Sequence, residues 1–293
     1  MLLQILNGLI VGSMYALVAI GFSLVLGVLD RLNFAHTEVF MIGGFAAVLV
    51  VASGSPFWAA VPVAFLLGGV LGLVIEFVCF RRIERDARIT AALSSVAVGL
   101  IIDDLTTKLF GTEPPSLELP GFVTDAGARI LDTRVTYLSM IILTTTLVLM
   151  AGLHALVTRS RMGRNIRAVA DSHVYAALLG VNVTRVTQEV FFVSSALAGV
   201  AGVLYSFRTG IANLDSGLTF GLKALAIMAI GGMGNMPGAV AAGLGIGVIE
   251  GLAFYLGLGT FSDLVVWITM ILVLLVRPTG LFGSSVHVRE RRA

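Results

Sequence analysis

Ionisable side chains embedded in apolar stretches are the residues of this sequence best suited to chemistry. Asp103, Asp104 and Lys108 share one such stretch, and Lys108 follows Asp104 by four residues, a spacing that allows an ion pair on one helix face. Burying a charge in lipid is costly, so a charge at such a position indicates function unless it is paired. Two interpretations of this buried charge stay open: a structural pair, or a coupling carboxylate. Three more ionisable residues stand alone in apolar stretches: Glu76, Lys223 and Glu250.

A second candidate is the polar run from Asn33 to Glu38, which directly precedes an apolar stretch. Polar side chains at a helix start commonly accept hydrogen bonds from the free backbone N–H groups, which predicts a capping role. The alternative is a gate or pore mouth on the cytoplasmic side, with Asn33, Phe34, His36 and Glu38 along the solute pathway.

Glycines and a proline interrupt the apolar pattern between Ile230 and Gly238. Backbone that breaks a helix at membrane depth is tolerated only where protein or a water-filled cavity covers it. One interpretation is a broken helix that lines a translocation pathway, formed by Gly231, Gly232, Met233 and Gly234. The other is a plain turn at the membrane interface. The run Ile42-Gly43-Gly44-Phe45 faintly echoes Ile230-Gly231-Gly232-Met233 and hints at internal duplication.

Several reactive constellations are missing from the sequence. Neither lysine, at 108 or 223, follows a glycine, so the chain has no phosphate-binding loop. The four histidines, at 36, 154, 173 and 287, lack metal-ligand spacing, and no Gly-x-Ser-x-Gly elbow occurs. We therefore predict a protein that is not an enzyme and holds no metal or cofactor itself. If ATP drives its work, the ATPase is another chain.

The elements that must position these residues are membrane helices. Of the 293 residues, 57% are hydrophobic and only 12% are charged, against about 25% in average soluble domains. The apolar density runs from end to end, which predicts one all-α transmembrane domain over residues 1–293. Lipid is thus a predicted partner and nucleic acid is not.

Windows of about 20 apolar residues, the length needed to cross a bilayer, define nine candidate spans, within a range of eight to ten. They cover residues 2–28, 34–52, 57–80, 89–110, 136–157, 188–207, 217–235, 237–257 and 262–276. Glycines four residues apart, at 8 and 12 and again at 243, 247 and 251, predict close helix packing.

Basic residues should gather on the cytoplasmic side of the membrane. Alternating nine spans places 14 of the 19 basic residues on one side, which predicts an outside N-terminus and an inside C-terminus. These residues are Arg31, Arg81, Arg82, Arg85, Arg88, Arg159, Arg161, Arg164, Arg167, Arg185, Arg277, Arg289, Arg291 and Arg292. Arg129, Arg134 and Arg208 fall on the other side, among Glu113, Glu118, Asp125, Asp132 and Asp215.

The segment 159–187 is too polar to cross the membrane and too long for a plain connector. Its apolar residues recur at helical spacing, which predicts one amphipathic helix that stops at Gly180. That apolar face comprises Ile166, Val169, Ala170, Val174, Ala177 and Leu178, and the polar face Arg167, Asp171 and Ser172. The helix either lies on the membrane surface or docks a cytoplasmic subunit.

Four stretches resemble the permease subunits of branched-chain amino acid ABC importers of the Liv type. They are Asn7-Gly8 through Gly12-Ser13-Met14-Tyr15-Ala16-Leu17; Leu32-Asn33-Phe34-Ala35-His36 with Met41-Ile42-Gly43; Gly163 to Ala170 with Leu178 to Val183; and Gly231 to Gly234 and Pro237-Gly238-Ala239 with Val276 to Gly283. Together they span nearly the whole chain. Two positions depart from the family pattern: Thr37, where the family usually has Gly, and Val174-Tyr175-Ala176, where it usually has Glu-Ala-Ala.

The resemblance implies an alternating-access importer in a bacterial inner membrane, with a second permease chain, homologous or identical. It also implies two cytoplasmic ATP-binding subunits and an extracytoplasmic substrate-binding protein, which can supply selectivity. It favours docking of the ATPases on residues 159–187, where we assign coupling to Gly163, Arg164, Arg167, Ala170, Asp171, Leu179 and Gly180. The alternatives are the same machine for urea or short-chain amides, and an ion-coupled carrier that uses Asp103 or Asp104.

Overall fold

The structure, a computed structural model, describes residues 1–84, 87–130 and 133–283 of the chain. Five residues of the orientation prediction lie outside this described part: Arg85, Asp132, Arg289, Arg291 and Arg292.

The described chain is a helical bundle with one small hairpin. Its twelve α-helices are α1 Leu2–Leu29, α2 His36–Ala52, α3 Ala60–Ile75, α4 Arg88–Phe110, α5 Gly121–Thr124, α6 Tyr137–Arg159, α7 Arg161–Asp171, α8 His173–Leu178, α9 Val183–Thr209, α10 Ser216–Gly231, α11 Met236–Tyr255 and α12 Ser262–Val276. A 3₁₀ turn, Phe57–Ala59, and a π turn, Glu76–Phe80, extend α3, and a second 3₁₀ turn, Gly259–Phe261, precedes α12. The antiparallel strands β1 Gly127–Ile130 and β2 Thr133–Thr136 form the hairpin.

An apolar helix occupies each of the nine predicted windows. Within the described residues, seven of these helices are long and apolar enough to cross a membrane. The other two, α2 with 17 residues and α10 with 16, are shorter. The chain is therefore a multi-pass helical membrane protein, and the count of nine spans stays a prediction.

Helices α1 and α9 form the centre of the bundle, because 83% of the most apolar part of each is buried. Small residues bring their neighbours very close, as the glycine spacing predicts. A Cβ atom at Gly12 would lie 2.6 Å from the carbonyl oxygen of Gly243 on α11, and one at Gly68 on α3 would lie 2.7 Å from that of Ser195 on α9. Only residues without a side chain allow these backbones to touch.

The bundle has two distinct ends. At one, which we call the basic end, Arg31 donates to the Glu84 carbonyl at 2.6 Å, and Arg88 pairs with Asp30 at 2.6 Å. At the other, the hairpin end, the Leu117 amide donates to the Gly210 carbonyl at 2.8 Å, and β1 and β2 lie beside the start of α6. The described arginines of the predicted cytoplasmic set lie at or near the helix ends of the basic end, or within α7.

The short helices α2 and α10 start in the same way, 180 residues apart. Asp30 follows α1 in the left-handed conformation, at φ 53°, and Gly210 follows α9 at φ 73°. The His36 amide then donates to the Asn33 carbonyl, and the Ser216 amide donates to the Asn213 carbonyl. The similar runs Ile42-Gly43-Gly44-Phe45 and Ile230-Gly231-Gly232-Met233 are not structurally equivalent. They are 188 positions apart, whereas equivalent residues of the two helices are 180 positions apart.

Candidate functional site

A buried polar cluster joins four helices near the hairpin end. The Lys223 ammonium on α10 lies 2.9 Å from Glu250 on α11, 2.6 Å from Asp263 on α12 and 3.1 Å from the Tyr15 hydroxyl on α1. The side chains of Lys223 and Glu250 are 10% and 7% exposed, so lipid and water reach little of either. Lys223 thus has one acceptor for each of its three N–H donors.

Sequence reasoning identified Lys223 and Glu250 only as isolated charges, and it missed Tyr15 and Asp263. The structure corrects this: the two charges are 27 residues apart in the chain but hydrogen-bonded to each other. A usable signal existed, since a single positive and a single negative charge in adjacent apolar helices each need a partner. Tyr15 is uncharged, so the sequence did not mark it as part of the cluster.

Arg208, near the end of α9, lines two adjacent cavities at the hairpin end. The first, of about 460 Å³, lies between Leu117, Thr136 and Phe207. The second, of about 310 Å³, also contains Lys223, Glu250 and Tyr15. Arg208 makes no hydrogen bond or ion pair with any described residue. The sequence placed it on the outer side but gave it no role.

The run Asn33–Glu38, here named the half-depth segment, was predicted to lie at the mouth of a span. It lies deeper in the bundle, farther from the basic end. The Phe34 amide donates to Ser95 Oγ at 3.0 Å, and Ser95 is seven residues into α4, or about 10 Å at 1.5 Å per residue. Glu38 lies beside Gly99, about halfway along this 23-residue helix. A short non-helical stretch after α1 therefore re-enters the bundle before α2 begins.

The capping role predicted for this segment is wrong. Ala35 is the N-cap of α2, and no side chain caps the helix. The Thr37 hydroxyl instead lies 2.9 Å from the Phe34 carbonyl and 3.0 Å from the Glu38 carboxylate. Asn33 is 1% exposed and its amide has no hydrogen-bond partner among the described residues. The role of the segment in a pathway stays a prediction.

Glu38 lies at the meeting point of α2, α4 and α10. A Cβ atom at Gly217 would lie 2.9 Å from Glu38 Oε2, so this carboxylate is next to the start of α10. Helix starts carry partial positive charge, which stabilises a buried carboxylate. Asp103 on α4 is a charged neighbour of Glu38.

The three α4 residues that were predicted to carry buried charge lie in two different environments. Asp104 and Lys108 form the expected ion pair at 2.5 Å, but their side chains are 64% and 70% exposed in the isolated chain, so they are not buried. The reason is that α4 packs against the bundle along one face, and these residues point away from it. Only Asp103 faces the interior.

The glycine run after α10 is a turn packed against the C-terminal residues. Gly232 and Gly234 have φ values of 106° and 79°, which favour glycine. The Leu281 amide donates to the Ile230 carbonyl at 2.7 Å, and Asn235 both caps α11 and donates to the Phe282 carbonyl at 2.7 Å. This geometry fits the interpretation as a turn. Gly231 packs on Gly238, while Met233 is exposed.

The segment after α6 contains two helices rather than the single predicted one. Ser172 is extended, at φ −156°, and its hydroxyl accepts the Tyr175 amide, so α7 ends and α8 begins there. Ser160 caps α7 by accepting the Gly163 amide at 2.9 Å. Arg167 donates to the Val157 carbonyl, and Gly163 has no room for a side chain against α6. These two residues fix α7 on the end of α6.

The predicted apolar face is only partly buried. Ile166 and Val169 pack on the bundle, whereas Ala170, Ala177 and the whole outer side of α8 are exposed. Arg164 and Asp171 are exposed as well. We name the exposed apolar group the α8 patch; it consists of Val174, Tyr175, Leu178 and Leu179. Gly180 ends α8 at φ 82°, where its amide donates to the Ala177 carbonyl.

Among the described residues, no three His, Cys, Asp or Glu side chains come together as a metal site. Lys223 and Glu250 instead form a buried ion pair, and both line a cavity together with Arg208. An apolar bundle with charged residues lining cavities between its helices is typical of membrane proteins that form solute pathways.

Residues 4–274 match the sequence model of a family described as branched-chain amino acid transport system, permease component. The chain therefore belongs to this permease family, as the resemblance predicted. It is 33% identical to the high-affinity branched-chain amino acid transport system permease protein LivH of Salmonella typhimurium, over 96% of this chain and 94% of that protein. It is 32% identical to the corresponding permease protein BraD of Pseudomonas aeruginosa, over 96% and 95%.

Two further similarities are more distant. The permease protein LivM of Escherichia coli is 26% identical over 92% of this chain and 68% of its own length. The solved structure of PsaBC from Streptococcus pneumoniae, in complex with Fab, superposes with a TM-score of 0.50 at 13% identity, covering 93% of this chain and 91% of that one. The latter similarity concerns the fold alone.

Proposed function

We propose that this chain is the permease subunit of an ATP-binding-cassette importer for branched-chain or related hydrophobic amino acids. The observation that supports this most strongly is the family match over residues 4–274, with LivH and BraD similar along nearly their whole lengths. Transport proceeds by alternating access, and separate ATPase subunits drive it. The chain itself holds no cofactor, because ATP binds to those partners.

The chain is one transmembrane domain with nine spans in a bacterial inner membrane. The basic end faces the cytoplasm, since arginines concentrate on the cytoplasmic side of membrane proteins. The hairpin end then faces outward, with the N-terminus beside it, and the C-terminus lies inside. The short helices α2 and α10 count as spans because the non-helical segments before them, residues 30–35 and 210–215, complete the crossing.

ATPase subunits dock on α7, α8 and the α8 patch. The side chains of Tyr175, Leu178 and Leu179 are 70%, 77% and 81% exposed, and an apolar patch on a polar connector is typical of a protein contact. Arg164 and Asp171 flank it with charge. Because Gly163 and Arg167 fix α7 on α6, a force on α8 reaches the membrane helices directly.

The partners are a second permease, two cytoplasmic ATP-binding subunits, and an extracytoplasmic substrate-binding protein. The similarity to both LivH and LivM supports a pair of related permease chains. The binding protein delivers the solute to the hairpin end.

Affinity purification of the tagged chain from its native host tests this proposal. We expect a second permease and P-loop ATPases to co-purify. Leu179→Glu and Arg164→Glu should each remove the ATPases. The first places an unpaired charge in the apolar α8 patch, and the second reverses the charge beside it. Phe122→Glu is the matched control, since Phe122 is 68% exposed at the hairpin end. A chain that purifies without any ATPase would contradict the proposal.

A further inference from the structure

The second cavity of the hairpin end contains one unpaired cation and one unpaired carboxylate oxygen. We propose that this cavity binds a zwitterionic α-amino acid with an apolar side chain, with the carboxylate on Arg208 and the ammonium on Glu250. The inference rests on the proposed function and assigns a substrate site within it. Arg208, Glu250, Tyr15, Val11 and Phe254 form the part of the lining that the argument uses.

The anionic half of the ligand is recognised by Arg208. Arg208 lines the cavity and makes no ion pair or hydrogen bond with any described residue. An arginine that is half-buried and unpaired is unusual, because arginine is always charged and its N–H donors need acceptors. A carboxylate is the planar acceptor that fits this fork. The Arg208 side chain is therefore available to a carboxylate ligand in this cavity.

The cationic half is recognised by Glu250. Lys223 and the Tyr15 hydroxyl both contact the same carboxylate oxygen, Oε1, at 2.9 Å and 3.4 Å. The other oxygen, Oε2, has no hydrogen-bond partner among the described residues. It can accept an ammonium without breaking any of the existing contacts.

The net charge of the cluster selects a zwitterion. Arg208 and Lys223 are balanced by Glu250 and Asp263, so the four side chains sum to zero formal charge. A zwitterion leaves that sum unchanged and pairs the two free groups. A purely cationic or anionic ligand would bring an uncompensated charge into a poorly solvated site, which is costly.

Cavity size and apolar lining agree with a small ligand. The volume of about 310 Å³ is at the lower limit for small-molecule sites. Val11 and Phe254 supply apolar surface for an aliphatic side chain. Arg208 is not needed to neutralise the buried lysine, since Lys223 already has three acceptors. The free arginine is therefore explained by a ligand rather than by the stability of the cluster.

Site-directed labelling tests the assignment without requiring transport. Ser262→Cys places a thiol in the cavity lining, in a background where the buried Cys79 is replaced by alanine. The purified full chain is labelled with a maleimide in the presence of L-leucine, of leucinamide, which lacks the carboxylate, or of 4-methylpentanoate, which lacks the ammonium. Equilibrium dialysis with radiolabelled L-leucine provides an independent binding measurement.

We expect L-leucine alone to slow labelling and to bind in dialysis. Arg208→Gln should weaken both effects about tenfold or more, as loss of a charged hydrogen bond predicts. Arg134→Gln is the matched control, because Arg134 is an exposed arginine of the same end. Equal protection by all three compounds, no binding of leucine, or equal behaviour of the two arginine variants would overturn the site.

The experiments can reject the substrate site and the proposed function independently of each other. Absence of leucine binding, with ATP-dependent uptake by the assembled importer intact, removes the site alone. Leucine binding that depends on Arg208, in a chain that never associates with an ATPase, keeps the site and removes the importer.

Discussion

Phe40 and Phe220 stack face to face across the centre of the bundle, with ring centroids 4.4 Å apart and an angle of 13° between the rings. Each is the fifth residue of its short helix, α2 or α10, and the two lie 180 positions apart. The helices therefore meet through equivalent residues of two similarly built halves. Each half consists of a long central helix, a short non-helical segment that re-enters the bundle, and a short helix.

This arrangement makes the contact between α2 and α10 sensitive to volume. A Cβ atom at Gly221 would lie 2.6 Å from Thr37 Cβ, so Gly221→Ala should impair folding by about 1–3 kcal/mol, as overpacking does. Thr37→Gly removes the obstructing side chain and should make Gly221→Ala tolerable. Thermal unfolding of the four combinations in detergent measures the coupling. Additive effects of the two changes would show that the contact is absent.

The close packing of α1 on α11 gives a second prediction. Gly247 faces the backbone of Gly12, whereas nothing lies within 4 Å of a Cβ atom at Gly245 on the same helix. Gly247→Val should lower the folded yield and the melting temperature strongly, while Gly245→Val should leave both nearly unchanged. Size-exclusion chromatography after heating distinguishes the two variants. Equal loss in both would contradict the helix register.

The Lys223 cluster gives a third prediction, because removal of one partner leaves a buried charge without its counter-charge. Lys223→Met should destabilise the protein by about 3–5 kcal/mol, as removal of one partner of a buried pair does. Adding Glu250→Gln should recover part of that loss, so the double variant is less damaged than the sum of the single ones.

Lys108→Met is the control for this cycle. Its ion pair with Asp104 is exposed, and exposed pairs contribute roughly 0–1 kcal/mol. Unfolding in denaturant, followed by Trp fluorescence, measures all four variants. A Lys108 effect as large as that of Lys223 would contradict the burial described above.

The apolar pattern predicted the helices well, because lipid requires about 20 apolar residues for each crossing. Helices α1, α6 and α12 begin or end within a few residues of their windows. The pattern contains no information on depth, so it placed Asn33 and His36 at a span mouth. Their depth depends on the non-helical stretch whose Phe34 amide donates to Ser95, 61 residues farther along the chain.

The polar contacts were harder to predict than the helices. Glu76, which the sequence analysis treated as a lone charge, pairs at 2.6 Å with Arg81, five residues farther along the chain. Tyr15 and Lys223 are 208 residues apart, and only the fold brings them together. Similarly, periodicity continues through Ser172, but its side chain caps a new helix and breaks the predicted one. A serine at such a position is compatible both with a continuous helix and with the start of a new one, and local sequence does not decide between them.

ATP-dependent uptake of L-leucine into proteoliposomes tests the central claim most directly. The chain is reconstituted with its co-purified partners and substrate-binding protein, with ATP supplied on the side of the ATPases. The account predicts uptake that requires ATP hydrolysis and persists when ion gradients are dissipated. Uptake by the chain alone without ATP, abolished by an ionophore or by Asp103→Asn, would contradict it and would indicate an ion-coupled carrier.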